Sequence, residues 1–484
     1  MSQPPSQPQA ANAAGPLRQA AALLLLALVV AATLGFNFAD QGWLNWLACG
    51  ALAGYLVVVA DRLNGTSRAF VVLALAASAV MVLLGRDLVA VLYEGGAKAC
   101  LFASFLGAIG MLRQAAEGSS LVARVGDLLI RVRPLWRYPL LCGGGQLLSG
   151  FLAAGALNIL CTAVYRGNDR IGHSQGAALQ QLRQRRMITA LLRGHCMAQC
   201  WAPTSLFVVL LLALIPELQP SRLLPYSAGM ALLALGLGWG LDQLGSRRLA
   251  VSAVARSALL EFQADKPPLW PLVLPLLLLF STLCGLTFGL ARWLDINFVQ
   301  ALVIAFPLFA MGWTLLQCPG DAAPQGARQR LGRLWLEGFP GQGNEIALMG
   351  SSVFLGVLVA RQIDPGAILA LIDAGGLAPA ILVSLCAWSI PLLGLLGVNP
   401  TVSVTILASL SDALVTAGIP LLPFAVTILG AWCISAGVSP IAQPVLIVAR
   451  SIRRHAGVVG PRWNGLYSLV AMLALTLWVW LVLT

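Results

Sequence analysis

The sequence predicts an all-α polytopic membrane protein of two inverted repeats, each with a re-entrant hairpin and an interrupted helix, and about eleven transmembrane spans. Three observations predict it: the composition, the sign of the loop charge, and a set of landmarks that recur in order in the two halves. Of 484 residues, 59% are hydrophobic and 10% charged, and the mean hydropathy is +0.85. A soluble domain has no use for so much apolar surface, whereas many of these runs reach the ~20 residues that cross a bilayer. The net charge of +12 would suggest nucleic acid in a soluble chain. Here Lys and Arg stand in short loops between apolar runs and act as a topology signal, so the expected partner is the lipid bilayer and not nucleic acid.

In chain order, residues 1–17 form a polar, Pro/Gln/Ala-rich tail expected to be disordered. Peripheral spans near 19–36, 42–60 and 69–93 fill residues 18–97, the first read as a retained span and not a cleaved signal. Repeat 1 covers 98–246, with a span at 98–112, a hairpin at 138–165, a broken helix at 187–216 and a span at 224–242. Linker and scaffold spans near 268–291 and 297–316 occupy 247–344. Repeat 2 covers 345–450, with a span at 345–361, a hairpin at 377–418 and a broken helix at 420–449. Residues 451–484 hold a loop and the last span, 465–483. The ten cysteines lie mostly inside apolar runs, which argues against a disulfide framework. His195, Cys196 and Cys200 share a helical face, a spacing that suits a metal, but thiols in spans are common packing residues and no metal or cofactor is expected from them.

The hairpins follow from the positive-inside rule. With the N-terminus cytoplasmic, Arg113, Arg124, Arg131, Arg133 and Arg137 precede 138–165, and Arg166, Arg170, Arg183, Arg185 and Arg186 follow it. A single crossing would strand one cluster outside, so the segment enters and returns on the cytoplasmic side. Asp364, Asp373 and Asp412 surround the second segment, which therefore enters from outside. The C-terminus then falls outside, and a bacterial inner membrane is the expected location.

The landmarks give the repeat. FLGAIGMLRQ (Phe105–Gln114) precedes the first hairpin and FLGVLVARQ (Phe354–Gln362) the second. GALN ends at Asn158 and GVN at Asn399, while HCMAQCWAPTS (His195–Ser205) and WCISAGVSPIA (Trp432–Ala442) each place a Pro in mid-span. The separations drift from 249 (Phe105 to Phe354) to 237 (Pro203 to Pro440). Inverted repeats with interrupted helices are the architecture of secondary transporters.

Three places carry a helix-start signature at depth: Asn399-Pro400, Ser439-Pro440 and Ala202-Pro203. Irregular backbone survives in lipid only where it lines a polar cavity. Helix N-termini there would hold an anion or polar group, and unwound carbonyls a cation. The expected solute-binding residues are Asn158, Pro203, Thr204, Asn399, Thr401 and Ser439, with Asn158, Asn399 and Ser439 as a Na⁺ site. Asn in a span serves equally as glue between helices.

This plan resembles the ion-transporter superfamily, with the divalent-anion:sodium symporters and the membrane subunits of TRAP transporters, over residues 98 to 450. The resemblance implies Na⁺ and a small anion bound between hairpin tips. The symporters carry Ser-Asn-Thr at each tip; here the tips read Ala156-Leu157-Asn158 and Val398-Asn399-Pro400-Thr401, keeping the Asn in both and the preceding Ser in neither.

The expected activity is secondary active transport of a small polar or anionic solute, Na⁺-coupled, by a protein that is not an enzyme. Proton coupling through His195 is the second choice, because the acidic residues all fall at span edges. The rivals are a membrane enzyme acting on a lipid-linked substrate, for which the outer loops are too short, and a permease subunit that needs a binding protein. Expected partners are the solute or ion and either a second copy of the chain or TRAP-like subunits.

Overall fold

A computed structural model describes residues 15–39, 41–119, 121, 124, 134–152, 154–172, 177–247, 270–317, 323–364, 366–367, 370 and 378–484. The predicted tail is outside this set up to residue 14, as are Asp40, Arg131, Arg133, Arg248, Arg256, Lys266 and Asp373. The described residues are helical and contain no strand. In order they form α1 (Pro16–Ala39), α2 (Gly42–Val59), α3 (Gly65–Leu83), α4 (Leu88–Glu117), α5 (Pro134–Leu152), α6 (Ala154–Gly172) and α7 (Ala177–Trp201). Then come α8 (Leu206–Leu214), α9 (Pro220–Arg247), α10 (Trp270–Trp293), α11 (Phe298–Leu316), α12 (Ala323–Arg333) and α13 (Gly343–Ala360). The last are α14 (Pro379–Leu395), α15 (Pro400–Ser409), α16 (Ser411–Thr416), α17 (Leu421–Val438), α18 (Gln443–Ser451) and α19 (Trp463–Leu483). Eleven helices among the described residues are long and apolar enough to cross a bilayer, and they match the eleven expected spans one for one. The chain is an integral membrane protein.

One boundary differs from expectation. The turn after the third span lies at Leu84–Asp87, not at 94–97. Gly85 takes a positive φ of 63° there, and Asp87 Oδ1 accepts from the Ala90 N–H to open α4. Glu94 and Lys98, whose charges suggest a loop, are an i,i+4 ion pair at 3.0 Å on a continuous helix.

Two compact units divide the chain, Met1–Gln114 with Phe306–Phe354, and Ala115–Ala305 with Leu355–Thr484. In the first, the chain entering α13 is tied down by polar bonds. Tyr55 Oη donates to the Pro340 carbonyl (2.8 Å), Ser67 Oγ to that of Asn344 (3.0 Å), and Arg113 to Gln342 Oε1 (2.7 Å).

The second unit contains both hairpins and both broken helices. α5 and α6 pack together and both rest on α7; α14 and α15 pack together and both rest on α17. The long helices that follow are placed alike: α9 lies on α5 and α7, and α19 on α14 and α17. The two sets also interlock. α6 packs on α18 while α15 packs on α8, and α9 reaches α17 while α19 reaches α7. Each packing pair has a counterpart with the sets exchanged. α17 is the centre of the unit, with every residue from Phe424 to Val438 buried. Close approach of α5 to α7 depends on Gly194, where a Cβ would run into the Cys142 carbonyl.

Candidate functional site

The two interruptions are real and nearly identical. α7 stops at Trp201 and α8 starts at Leu206; α17 stops at Val438 and α18 starts at Gln443. Each gap is therefore four residues, Ala202–Ser205 and Ser439–Ala442, and their backbone bonds match at a constant separation of 237. Ala202 N–H donates to Ala198 O and Ser439 N–H to Ser435 O; Ser205 N–H donates to Ala202 O and Ala442 N–H to Ser439 O. Val209 to Ser205 and Leu446 to Ala442 then begin the second halves.

The prolines do a different job from the one expected. Neither Pro203 nor Pro440 is the first residue of a helix; each is the second residue of its gap. Proline drives the residue before it out of the helical region, and Ser439 stands at φ −67°, ψ 126°. The proline thus ends the first half-helix, and the second opens two residues later. Ser205 caps α8, accepting from the Val208 N–H at 3.0 Å, and Ala442 precedes α18, which has Pro444 in its first turn.

α7 and α17 pair in antiparallel fashion through these gaps. A Cβ on Gly437 would touch Cys196 Sγ at 3.5 Å, and the Cys433 thiol hydrogen-bonds with Cys200. Shifting Cys196 and Gly437 by 237 in opposite senses gives Cys433 and Cys200, so the two contacts are related by a local two-fold near Ala198 and Ser435. Antiparallel partners exchanged by a two-fold are what inverted repeats require.

Each gap is latched to its own hairpin. Thr204 Oγ1 donates to the Gly150 carbonyl at 2.5 Å, and Ser439 Oγ donates to the Gly394 carbonyl at 2.7 Å. Both acceptors sit in the last turn of the hairpin's first arm, where carbonyls lack intrahelical partners. Thr204 and Ser439 are buried, as are Pro203 and Ser205.

The hairpin tips correspond less well. At the second, Gly397 takes φ +97°, and Asn399 caps α15, its Oδ1 accepting from the Thr401 N–H at 3.0 Å with Pro400 first in the helix. This is the predicted arrangement. At the first, α6 already begins at Ala154, so Asn158 lies inside a helix and not at a tip. Asn158 is exposed, and its Oδ1 accepts from Ser451 Oγ at 3.1 Å. Ser451 ends α18, nine residues beyond Ala442, about 13 Å along the helix from the gap. The expected pairing of Asn158 with Asn399 therefore fails: Asn399 has a proline behind it to fix the helix start, and Asn158 has none. Asn158, Asn399 and Ser439 bond three different partners.

His195 is buried, with Nδ1 2.9 Å from Ser149 Oγ on α5. Cys200 faces Cys433 instead of joining His195, and among the described residues no three metal-ligating side chains converge.

Two features were missed in the sequence. Arg193 lies on α7 within a candidate span and is only 8% exposed. Its Nε donates to Asn464 Oδ1 (2.7 Å), one terminal nitrogen reaches Tyr138 Oη (3.3 Å), and its Cζ lies 4.2 Å from the Tyr467 ring centroid. Asn464 Nδ2 in turn donates to the Gly437 carbonyl (2.9 Å), at the end of α17 beside the second gap. Among the described residues no carboxylate pairs with this guanidinium, and Asp242 is taken by Arg186 in a two-pronged bridge at 2.8 and 2.6 Å. The second feature is Ser403, buried in the first turn of α15, with no partner for its hydroxyl among the described residues. Arg193 had a visible signal, a charge inside the predicted broken helix 187–216, which the sequence reading left without a role.

No protein-family model matches the sequence, and no curated protein does. Among solved structures, the chain is similar to the YdaH transporter of Alcanivorax borkumensis, whose crystal structure is described as revealing an unusual topology. The TM-score is 0.45 at 15% sequence identity, over 78% of this chain and 83% of that one.

Chemically, the two gaps provide buried hydroxyls, half-helix ends and a nearby cation. α8, α15 and α18 begin, and α7 and α17 end, at these breaks, where the helix dipoles place partial positive and negative charge. Such an arrangement suits reversible binding of a polar solute.

Proposed function

We propose that this protein is a secondary active transporter that moves a small polar or anionic solute by alternating access. The observation that carries the reading is the pair of four-residue gaps with matching hydrogen bonds, set on crossing antiparallel helices and each latched to a hairpin. Unwound backbone in apolar spans costs several kcal/mol per unpaired group, and a polar passage is what retains it. The hairpins are re-entrant in this reading: α14 and α15, 17 and 10 residues long, are shorter than the ~20 residues a crossing takes, and for the first hairpin the support is the basic residues on both flanks. Arg193 favours an anionic solute, since an ionised group inside a span without a carboxylate marks a solute or ion path. The solute site lies at Ser439, Thr204, Thr401 and Ser403, with Asn399 holding the second tip. Sodium is the coupling ion at the carbonyl ends of α7 and α17, and His195, hydrogen-bonded to Ser149, is the proton route if sodium has no effect.

The test is uptake of a panel of labelled small carboxylates and their neutral amides into proteoliposomes, with an imposed Na⁺ or H⁺ gradient. Concentrative uptake of a carboxylate driven by Na⁺ supports the whole reading. Uptake driven only by H⁺ removes sodium, and preference for amides removes the anion. Absence of gradient-driven uptake for every solute would sink the transport reading.

A further inference from the structure

We infer that the face of the second unit around its local two-fold holds the acyl chain of one bilayer phospholipid. A cavity of about 380 Å³ opens between α7, α9, α17 and α19. Part of its lining follows the two-fold of the gaps. Met197 and Ile434, one from each broken helix, are 237 apart, and both helices that close the sides contribute an i, i+3, i+4, i+7 stripe, Met230 to Leu237 and Ala471 to Trp478. The groove therefore runs along the helices from Tyr226 to Leu237, eleven residues or about 16 Å. That length is about half of a ~30 Å hydrocarbon core, the depth of one leaflet.

An apolar groove of that length, open along one side, matches the run of one acyl chain through a leaflet. The lining is apolar apart from the Trp478 indole N–H and the Tyr226 hydroxyl, the latter at the end of the groove nearest the start of α9, where a headgroup would sit. Tyr226 is 56% and Leu233 50% exposed, so the groove opens sideways into the lipid and not into the polar gaps. The four lining helices are all candidate spans, which puts the groove at hydrocarbon depth. A dry apolar groove there is filled by the nearest chain, and a chain gripped on three sides leaves more slowly than one on an open helix face. The inference depends on the membrane assignment and not on transport.

Gly229 gives a clean perturbation, because a Cβ there meets nothing within 4 Å and a larger side chain grows into the groove. The full-length protein, exchanged into a mild detergent, is weighed by native mass spectrometry. One phospholipid retained per chain, and at least tenfold less in Gly229→Leu at an unchanged melting temperature, is the expected result. A second readout uses one equivalent of phosphatidylcholine with dibrominated acyl chains, comparing wild type with Trp478→Phe to isolate that indole. Quenching of Trp478 should fall at least twofold in Gly229→Leu, and if that variant does not fold, quenching in the wild type stands alone. Equal lipid retention in both proteins, an unquenched Trp478, or retention of a second copy of the chain in place of lipid would each overturn the inference.

Discussion

Replacing Arg193 by methionine separates two roles for the buried guanidinium, structural lock and solute partner. The favourable side can be summed from its neighbours. A charge-assisted hydrogen bond like that to Asn464 contributes ~1.5–3 kcal/mol. The guanidinium over the Tyr467 ring, 4.2 Å from its centroid, adds about 2 kcal/mol when desolvated, and the long bond to Tyr138 at 3.3 Å no more than ~1 kcal/mol. Against these ~4–6 kcal/mol stands the burial of an ionised group without a carboxylate, itself several kcal/mol. The net contribution of the charge is thus close to zero. Methionine fills the stem volume and leaves Asn464 Oδ1 and Tyr138 Oη short of a partner, a loss of about 1–3 kcal/mol. Asn464 keeps its other bond, to Gly437. The expected outcome for Arg193→Met is a melting temperature lowered by no more than about 5 °C. Uptake should fall more than tenfold, and Arg193→Lys, which keeps the charge but loses the planar fork, should fall between the two. The assay is detergent melting beside proteoliposome uptake of the same preparation. A fall in melting temperature above ~10 °C with uptake reduced only in proportion to folded protein would make Arg193 a lock and refute the reasoning.

Three further outcomes are expected. Asn399→Ala should cost about 1 kcal/mol through the lost cap and reduce solute binding, whereas Asn158→Ala, exposed and within α6, should leave binding within twofold of wild type; ligand-induced thermal stabilisation of each variant decides it. Pro440→Leu should hold or raise the melting temperature, because proline costs about 3 kcal/mol in a helix interior and its removal lets α17 run on into the gap. Affinity should nevertheless drop as the freed N–H groups pair within the helix, and Pro203→Leu should behave alike; melting and affinity falling together would indicate plain kinks. Single cysteines at Glu217 and Asp364 should react with an impermeant maleimide from outside intact cells and one at Arg454 only after lysis, all three being exposed; reaction of all three from one side would end the inverted topology.

Local backbone chemistry decided what could be read from the sequence. Pro203, Pro440 and Asn399-Pro400 each act on their own few residues, and all three breaks appear where they were expected. Which residue opens the following half-helix was misplaced at the gaps, because a proline that ends one helix and a proline that begins the next look alike in a sequence. Asn158 has no such neighbour, and it lies within the helix of an arm that packs on α7 and α18. The turn at Leu84–Asp87 was hidden by Glu94-Gly-Gly-Ala-Lys98, charged and glycine-rich yet helical through its i,i+4 pair. Arg193 lies inside the predicted broken helix 187–216, but its partners Asn464, Tyr138 and Tyr467 come from distant parts of the chain that no sequence signal joins to it.

The contacts that relate α7 to α17 have an energetic consequence. Two halves that could exchange roles through a two-fold would, if their side chains were identical, make two conformers related by that rotation and equal in free energy, a balanced switch with no preferred side. Whatever preference exists must then come from positions where the exchange fails. Arg193 faces Gly430 under the 237-residue shift, His195 faces Trp432, and the latching hydroxyl sits at the third residue of one gap and the first of the other. Such mismatches are the rule along the gaps: between Arg193–Ser205 and Gly430–Ala442 only Cys196/Cys433 and Pro203/Pro440 are identical. A bias of only ~1.4 kcal/mol shifts such an equilibrium tenfold, so if the two halves exchange roles, these unlike pairs set which arrangement is favoured.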